Sequence, residues 1–274
     1  MLNQMTLNRL HEMKLSAMAE KYRTIAASAA EGQLSFDEWF GLLVDAEWDH
    51  RHTNRIARLM KKATLYFPNA SVEDIEYRSD RKLNRNLLQE LGTCRYILDK
   101  RNVILMGATG AGKTYIACAL GTAACRNLYT VRYIRLPDLL NELAVARGEG
   151  CYMDVMKFYR KVSLLILDEW MLIPLTKTES RDLLEIVEAR YERSSTIFCS
   201  QFAPPGWHER IAEDALADAV LDRIENSSYK ILIDGDDSMC KCQRKSEPGA
   251  HEKVSHKRPR KSEPERSRIV EPVC

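Results

Sequence analysis

The sequence predicts an α/β domain on a parallel five-stranded sheet, preceded by a small all-helical segment. Three observations predict it. Five short β-branched or aliphatic runs between residues 103 and 233 alternate with helical stretches, which is how a parallel sheet covered on both faces reads. A phosphate-loop pattern follows the first run, and a pair of acids closes the third.

Taken in order, Leu7, Leu10, Met13, Ala17, Met18, Tyr22 and Ile25 recur at helical spacing until Gly32 breaks the stripe. Ser35-Phe-Asp-Glu38 is a capping box opening a second helix. Its expected apolar face is Phe36, Phe40, Leu43, Val44, Glu47/Trp48, Ile56, Leu59 and Met60, with Pro68 beyond its end. A third helix is expected from Arg81 to Leu91, stopped by Gly92. The strands are expected at Val103–Met106, Thr130–Arg135, Val162–Leu167, Thr196–Ser200 and Lys230–Ile233. Between them fall helices at Tyr115–Arg126 and Ala215–Asn226, and two helical pieces around Gly148-Glu-Gly150. Beyond Met239 the hydrophobic residues run out, and such a segment cannot offset its ordering entropy. The domain reading is therefore a helical unit over 1–76, a nucleotide-binding domain over 77–240, and a disordered basic tail over 241–274.

Composition narrows the function classes. The 274 residues are 45% hydrophobic and 29% charged, with 41 basic against 39 acidic residues. The balance is uneven along the chain: His50–Arg101 has 12 basic and 6 acidic residues, Val103–Cys240 has 15 and 20, and Lys241–Cys274 has 10 and 5. No run approaches the roughly 18 apolar residues of a membrane span. The start lacks the apolar core of a secretory signal. The eight cysteines follow no disulfide framework, which suits free thiols in a cytoplasmic protein. Cys240 and Cys242 with His251 and His256 are wrongly spaced for a zinc finger.

The chemistry sits in Gly107-Ala-Thr-Gly-Ala-Gly-Lys-Thr114, which fits the phosphate-loop pattern. Gly107, Ala108, Thr109, Gly110, Ala111 and Gly112 let the backbone wrap a phosphate and turn its N–H groups inward. The following helix aims its positive end at the same place. Lys113 neutralises the phosphate oxygens of ATP, and the Thr114 hydroxyl ligates Mg²⁺. Asp168 and Glu169 end the run Leu164-Leu-Ile-Leu167, at the edge where open α/β sheets place ligands. Asp168 is expected in the magnesium shell and Glu169 as the base that polarises the attacking water. Gln201 or Ser200, ending another buried run, could reach the terminal phosphate, or serve only as a loop cap. Arg223 could complete a neighbouring subunit's site as an arginine finger, or be an ordinary solvated arginine.

Beyond these motifs, Leu34-Ser-Phe-Asp-Glu38, Leu42-Leu-Val-Asp-Ala-Glu-Trp48, Asp74-Ile-Glu-Tyr-Arg78, Ala117-Cys-Ala-Leu-Gly121, Leu165-Ile-Leu-Asp-Glu-Trp170 and Leu216-Ala-Asp-Ala-Val-Leu-Asp-Arg223 stand out. Together they resemble the IstB family, ATP-binding helpers of bacterial insertion-sequence transposition in the AAA+ group with DnaC and DnaA. The resemblance covers about residues 2–241. It implies an AAA+ ATPase that assembles as a homo-oligomer on duplex DNA and assists a partner transposase. It places Gln201 at the sensor-1 position and Arg223 at the finger position. Where the family ends Gly-x-Ser-Met-Arg, this chain reads Gly235-Asp-Asp-Ser-Met-Cys240-Lys241.

With that resemblance, the basic residues of the first hundred positions become DNA candidates. Arg51, Arg55, Arg58 and Lys62 fall on one helical face beside Lys61, and Arg78, Arg81, Lys82 and Arg85 form a second cluster. Such residues address phosphates with little sequence preference. Arg147, Lys157, Arg160 and Lys161 could reach DNA from the segment after the second strand. A DnaC-like helicase loader is the alternative function. A small-molecule kinase would keep the loop but have no use for Glu169 or Arg223.

Overall fold

The computed structural model describes residues 2–27, 35–77 and 83–233. The five expected strands are present as β1 (Asn102–Gly107), β2 (Val131–Arg135), β3 (Leu164–Trp170), β4 (Ser195–Ser200) and β5 (Ser228–Ile233). They are all parallel and lie in the order β2-β3-β4-β1-β5. Successive strand residues point to opposite faces, so β1 to β4 feed two cores, whereas β5 at the sheet edge buries only Ile231 and Ile233, both on the α6 side. Val103, Leu105, Leu164, Ile166 and Ile197 pack under helix α6 (Lys113–Arg126). Ile104, Leu165, Leu167 and Phe198 pack under α7 (Leu136–Glu149), α8 (Tyr152–Lys161), α9 (Lys177–Arg190), the short α10 (Pro205–His208) and α11 (Asp214–Glu225). Gly150 ends α7 in the left-handed conformation. At Gly107 a Cβ would run into the Ile233 carbonyl oxygen, so only glycine lets β1 close on β5 there.

Three arginines on the second face lock this layer. Buried Arg190 donates to the carbonyls of Tyr159, Val162 and Ser195, and burial lowers its pKa to about 9. Arg147 donates to both carboxylate oxygens of Asp182 at 2.7 and 2.9 Å. Arg160 pairs with Glu185. Arg147 and Arg160, two of the residues considered for DNA contact, thus tie α7 and α8 to α9.

The N-terminal stripe is divided. Lys14 adopts the left-handed conformation (φ 59°) and separates α1 (Leu2–Glu12) from α2 (Ser16–Ala27); the expected break at Gly32 lies outside the described residues. Helix α3 (Phe36–Ala63) opens with the expected capping box, Ser35 N–H donating to Glu38 Oε2 at 2.8 Å and Glu38 N–H to Ser35 Oγ at 3.4 Å. Its expected apolar face is corrected in the first half. Leu43 is buried with Glu47, but Phe36, Phe40, Val44 and Trp48 are exposed. The reason is Glu47, whose carboxylate accepts the first-turn N–H groups of Ala17 and Met18 at 3.1 and 3.2 Å and so caps α2 from α3. This docks α2 along the Leu43–Glu47 line and leaves the aromatic flank uncovered.

Past its midpoint α3 runs onto the nucleotide-binding half. Ala63, Leu65, Ala70 and Ile75 share one core with α6 and the sheet, so no packing break marks residue 76. Helix α4 (Arg85–Gly92) is capped by Asn84, and Arg81, its expected start, is outside the described residues. It ends at Gly92, where the stop is expected, but the left-handed turn falls at Cys94 (φ 64°), from which the chain enters α5 (Arg95–Leu98). The described cysteines are free thiols. Among the described residues, no helix is long and apolar enough to cross a membrane.

Candidate nucleotide-binding site

The loop after β1 turns on two left-handed glycines, Gly110 (φ 83°) and Gly112 (φ 94°), and Gly112 caps α6. Gly110, Gly112, Lys113 and Thr114 line one wall of a cavity of about 490 Å³. Asp168 and Glu169 line it from the carboxyl end of β3, and Tyr133 and Arg135 from β2. Tyr66, Phe67, Asp74, Ile75 and Glu76 form the far wall. The expected loop and acid pair therefore meet in one cavity.

Asp168 is the hub. The Thr114 hydroxyl donates to its Oδ2 at 2.7 Å, the Tyr133 hydroxyl donates to the same oxygen at 2.8 Å, and Glu169 N–H donates to Oδ1 at 2.8 Å. Burial, reinforced by Asp168, raises the Tyr133 pKa far above its ordinary value and keeps the phenol a donor. Lys113 donates to the carbonyls of Gly107 and Ala108, each at 2.8 Å. Its own burial lowers its pKa, so the ammonium gains from an anion arriving in the loop.

Glu169 sits apart. Strand β3 has one residue more than β4 between Leu167 and Trp170, a bulge that re-aims this end of the strand. Glu169 and Met171 both take left-handed backbone (φ 54° and 53°), a strained choice for residues with a Cβ. The Glu169 carboxylate accepts from Arg135 Nη2 at 2.7 Å.

These residues suit a metal–nucleotide complex. One hydroxyl and one buried carboxylate are hard oxygen donors of the kind Mg²⁺ takes. Among the described residues, no group of three or more His, Cys, Asp or Glu could hold a metal without help. A cation here would need water or phosphate oxygens to complete its shell.

The remaining candidates lie elsewhere. Ser200 is buried and engaged, donating to the Trp170 carbonyl at 3.0 Å and accepting from Trp207 Nε1 at 2.9 Å; it is a structural hydroxyl. Gln201 follows it, exposed, and does not line the cavity. Arg223 lies on α11, donating to Glu188 Oε1 at 3.2 Å in a separate concavity with Tyr191, Glu192, Arg193 and Asp222. Arg55, Arg58, Lys61 and Lys62 are exposed on α3. Arg51 donates to Glu47 at 2.7 Å and to the Lys14 carbonyl at 3.1 Å. Arg85 lies over the Tyr77 ring, 5.3 Å from its centroid. Arg78, Arg81, Lys82, Cys240 and Lys241 lie outside the described residues.

Sequence reasoning missed Tyr133 and Arg135. Arg135 ends β2 and Tyr133 lies at its middle, on the strand that neighbours β3 with Arg135 opposite Asp168. The rule that singled out Asp168 would have found them once that neighbour relation was known.

Sheet order, phosphate loop and acid pair together define a P-loop nucleotide-binding protein of the AAA+ class. AMPPCP-bound DnaA from Aquifex aeolicus shares the fold at a TM-score of 0.54 and 20% identity, over 66% of this chain and 56% of that one. So does the crystal structure of DnaI, at 0.53 and 20%, over 65% and 93%. Within that class, the chain belongs to the IstB-like ATP binding protein family, which matches residues 8–247. It is 40% identical over 246 residues to a Sinorhizobium fredii protein named for ATP binding in an insertion sequence, covering 90% of this chain and all of the relative. A Pseudomonas fluorescens protein named likewise, of insertion sequence IS1162, is 40% identical over 201 residues, 73% of this chain and 87% of that one.

Proposed function

We propose that this chain is an ATPase that assembles on duplex DNA and assists a partner transposase, in the cytoplasm. The observation that carries the ATPase reading is the 2.7 Å bond between Thr114 and Asp168, residues 54 positions apart, with Glu169 beside it. Family membership supports ATP as the ligand and insertion-sequence transposition as the setting.

In this reading the loop amides and Lys113 hold the triphosphate, exchanging the two backbone carbonyls for phosphate oxygens. Thr114 and Asp168 would hold Mg²⁺, which would neutralise charge on the phosphates. Glu169 accepts the proton of the attacking water. It first has to part from Arg135, because a paired carboxylate is a weak base. Gln201, outside the cavity in this chain, has to swing in to steady the reacting phosphate, and Arg223 acts in a neighbouring subunit's site within a homo-oligomer. Its separation from the chain's own loop fits that role.

The DNA reading rests on Arg55, Arg58, Lys61 and Lys62 along α3, with Arg51 half-committed to Glu47 and Arg78, Arg81, Lys82 and Arg85 nearby in sequence. About four phosphate contacts give a log–log salt slope near −4 on duplex DNA. The deciding experiment is ATP hydrolysis with and without duplex DNA, paired with capture of a transposase against capture of a helicase. DNA-stimulated turnover and transposase capture support the reading. Absence of Mg²⁺-ATP affinity overturns it, and helicase capture replaces the transposition role with loading.

A further inference from the structure

Base and finger are each capped within the chain. Arg135 Nη2 donates to the Glu169 carboxylate at 2.7 Å, and Arg135 Nη1 has Asp138 farther off at 3.9 Å. Arg223 Nη2 donates to Glu188 Oε1 at 3.2 Å, and its Nη1 to the Ala219 carbonyl at 2.9 Å. The first pair lies in the nucleotide cavity of about 490 Å³, the second in a separate concavity of about 510 Å³. The two are opposite in sense: an acid held by an arginine, and an arginine held by an acid. All four side chains reach solvent, from 27% exposure for Arg223 to 58% for Glu188. Ion pairs so exposed add little to stability, so each parts at small cost.

We infer that subunit contact makes these pairs exchange partners: Arg223 turns to the phosphates held by the partner subunit, and the Glu188 it leaves takes up Arg135 of the partner subunit. The exchange rests on the reading of Arg223 as a finger for a neighbouring site, and adds to it the residue that frees the base. Glu192 and Asp222 share the concavity with Glu188. Asp222 accepts from Asn226 Nδ2 at 2.7 Å, whereas Glu188 is the acid that Arg223 vacates.

The signs leave one register. For Arg223 to reach phosphates beside Glu169 it arrives over a negative site, which sets Glu188 over Arg135. The opposite register puts arginine on arginine and glutamate on glutamate, and like charges facing across an interface are costly. The triphosphate decides where Arg223 settles, because it carries more charge than a carboxylate and takes a guanidinium through two oxygens. Arg135 keeps a carboxylate partner throughout, first in its own chain and then in the next. Glu169 is the one group left without an arginine, which is the state a general base needs. An isolated chain therefore keeps base and finger capped, and subunit contact releases both in one step. Glu188 does not line its own chain's nucleotide cavity. It is a positioning residue, acting through Arg135 of the partner subunit.

The test is ATP turnover on duplex DNA in mixtures of two full-length chains. One carries Arg223→Ala and supplies the loop; the other carries Lys113→Ala and supplies the finger. Only a site shared between them turns over. Arg135→Glu added to the loop chain, or Glu188→Arg added to the finger chain, is expected to lower turnover by at least about tenfold, since like charges then face each other. Both together are expected to recover it to within about threefold of the parent mixture, because the pair re-forms with its signs reversed. Glu192→Arg in place of Glu188→Arg is expected not to recover it. Circular dichroism and nucleotide binding check each chain. A second measurement needs no charge reversal: Arg135→Cys in the loop chain and Glu188→Cys in the finger chain are expected to be joined by a short bismaleimide when ATP and DNA are present. The exchange is overturned if the doubly reversed mixture is no faster than the slower single reversal, if Glu192→Arg recovers turnover equally, or if no cross-link forms. An inactive parent mixture removes the finger reading itself, and the exchange with it.

Discussion

Arg135 Nη2 and Glu169 Oε2 stand 2.7 Å apart, joining the last residue of β2 to the second acid of β3. The bond holds the carboxylate that would activate water, and the left-handed backbone at Glu169 presents it to the arginine. Arg135→Ala is expected to raise ATP turnover severalfold in the absence of DNA, while Glu169→Gln lowers it by about a hundredfold or more without loss of ATP binding. Steady-state hydrolysis beside nucleotide binding separates the two; a slower Arg135→Ala enzyme would mean that the arginine serves the phosphates.

Tyr133→Phe removes one donor from buried Asp168 and leaves Thr114 in place. The expected loss is about 1–2 kcal/mol of stability, read by urea unfolding without ligand. Magnesium-dependent ATP binding should also weaken, because the carboxylate loses an anchor.

Arg223 and Lys113 should complement in trans. Arg223→Ala and Lys113→Ala are each expected to lose turnover, the arginine by about a thousandfold. Mixing them should restore a measurable fraction, since one protein supplies an intact loop and the other an intact finger. Inactivity at every mixing ratio would confine Arg223 to its bond with Glu188.

Glu47 gives an acid-labile cap. Burial pushes its pKa up, but the Arg51 bond and the Met18 and Ala17 amides outweigh this, leaving it below the ordinary 4.5. The unfolded chain therefore binds the extra proton near that pH. The cap's stabilisation is full above pH 4.5 and drains away as pH falls through the lower folded value. Glu47→Ala is expected to cost about 2–3 kcal/mol at neutral pH and to flatten the acid limb of the stability curve, followed by helical circular dichroism.

The nucleotide-binding half was legible because its signals are local. Buried runs such as Leu164–Leu167 admit few readings, and Gly107–Thr114 carries its geometry in its glycines. Arg135 was invisible because its role depends on β2 lying beside β3, a relation between strands and not a pattern within one. The exposed aromatics of α3 were misread as core for a similar reason. Their spacing does describe a helical stripe, but which flank of a helix is covered is decided by its neighbour. Here one buried carboxylate, Glu47, sets that choice. Ser200 was open to two readings, and the tryptophans that engage it come from residues 170 and 207, on separate elements.

Helix α3 ends at Thr64, whose hydroxyl donates to the Tyr133 carbonyl at 3.1 Å and accepts from Arg132 at 3.0 Å. Tyr133 in turn holds Asp168. Two hydrogen bonds therefore tie the end of α3 to β2. A torque applied to the N-terminal helices would reach the strand that braces the Asp168 carboxylate. Softening that tie, with Thr64→Ala or a glycine inserted after Ala63, would let the helices be pulled without the nucleotide cleft feeling the strain.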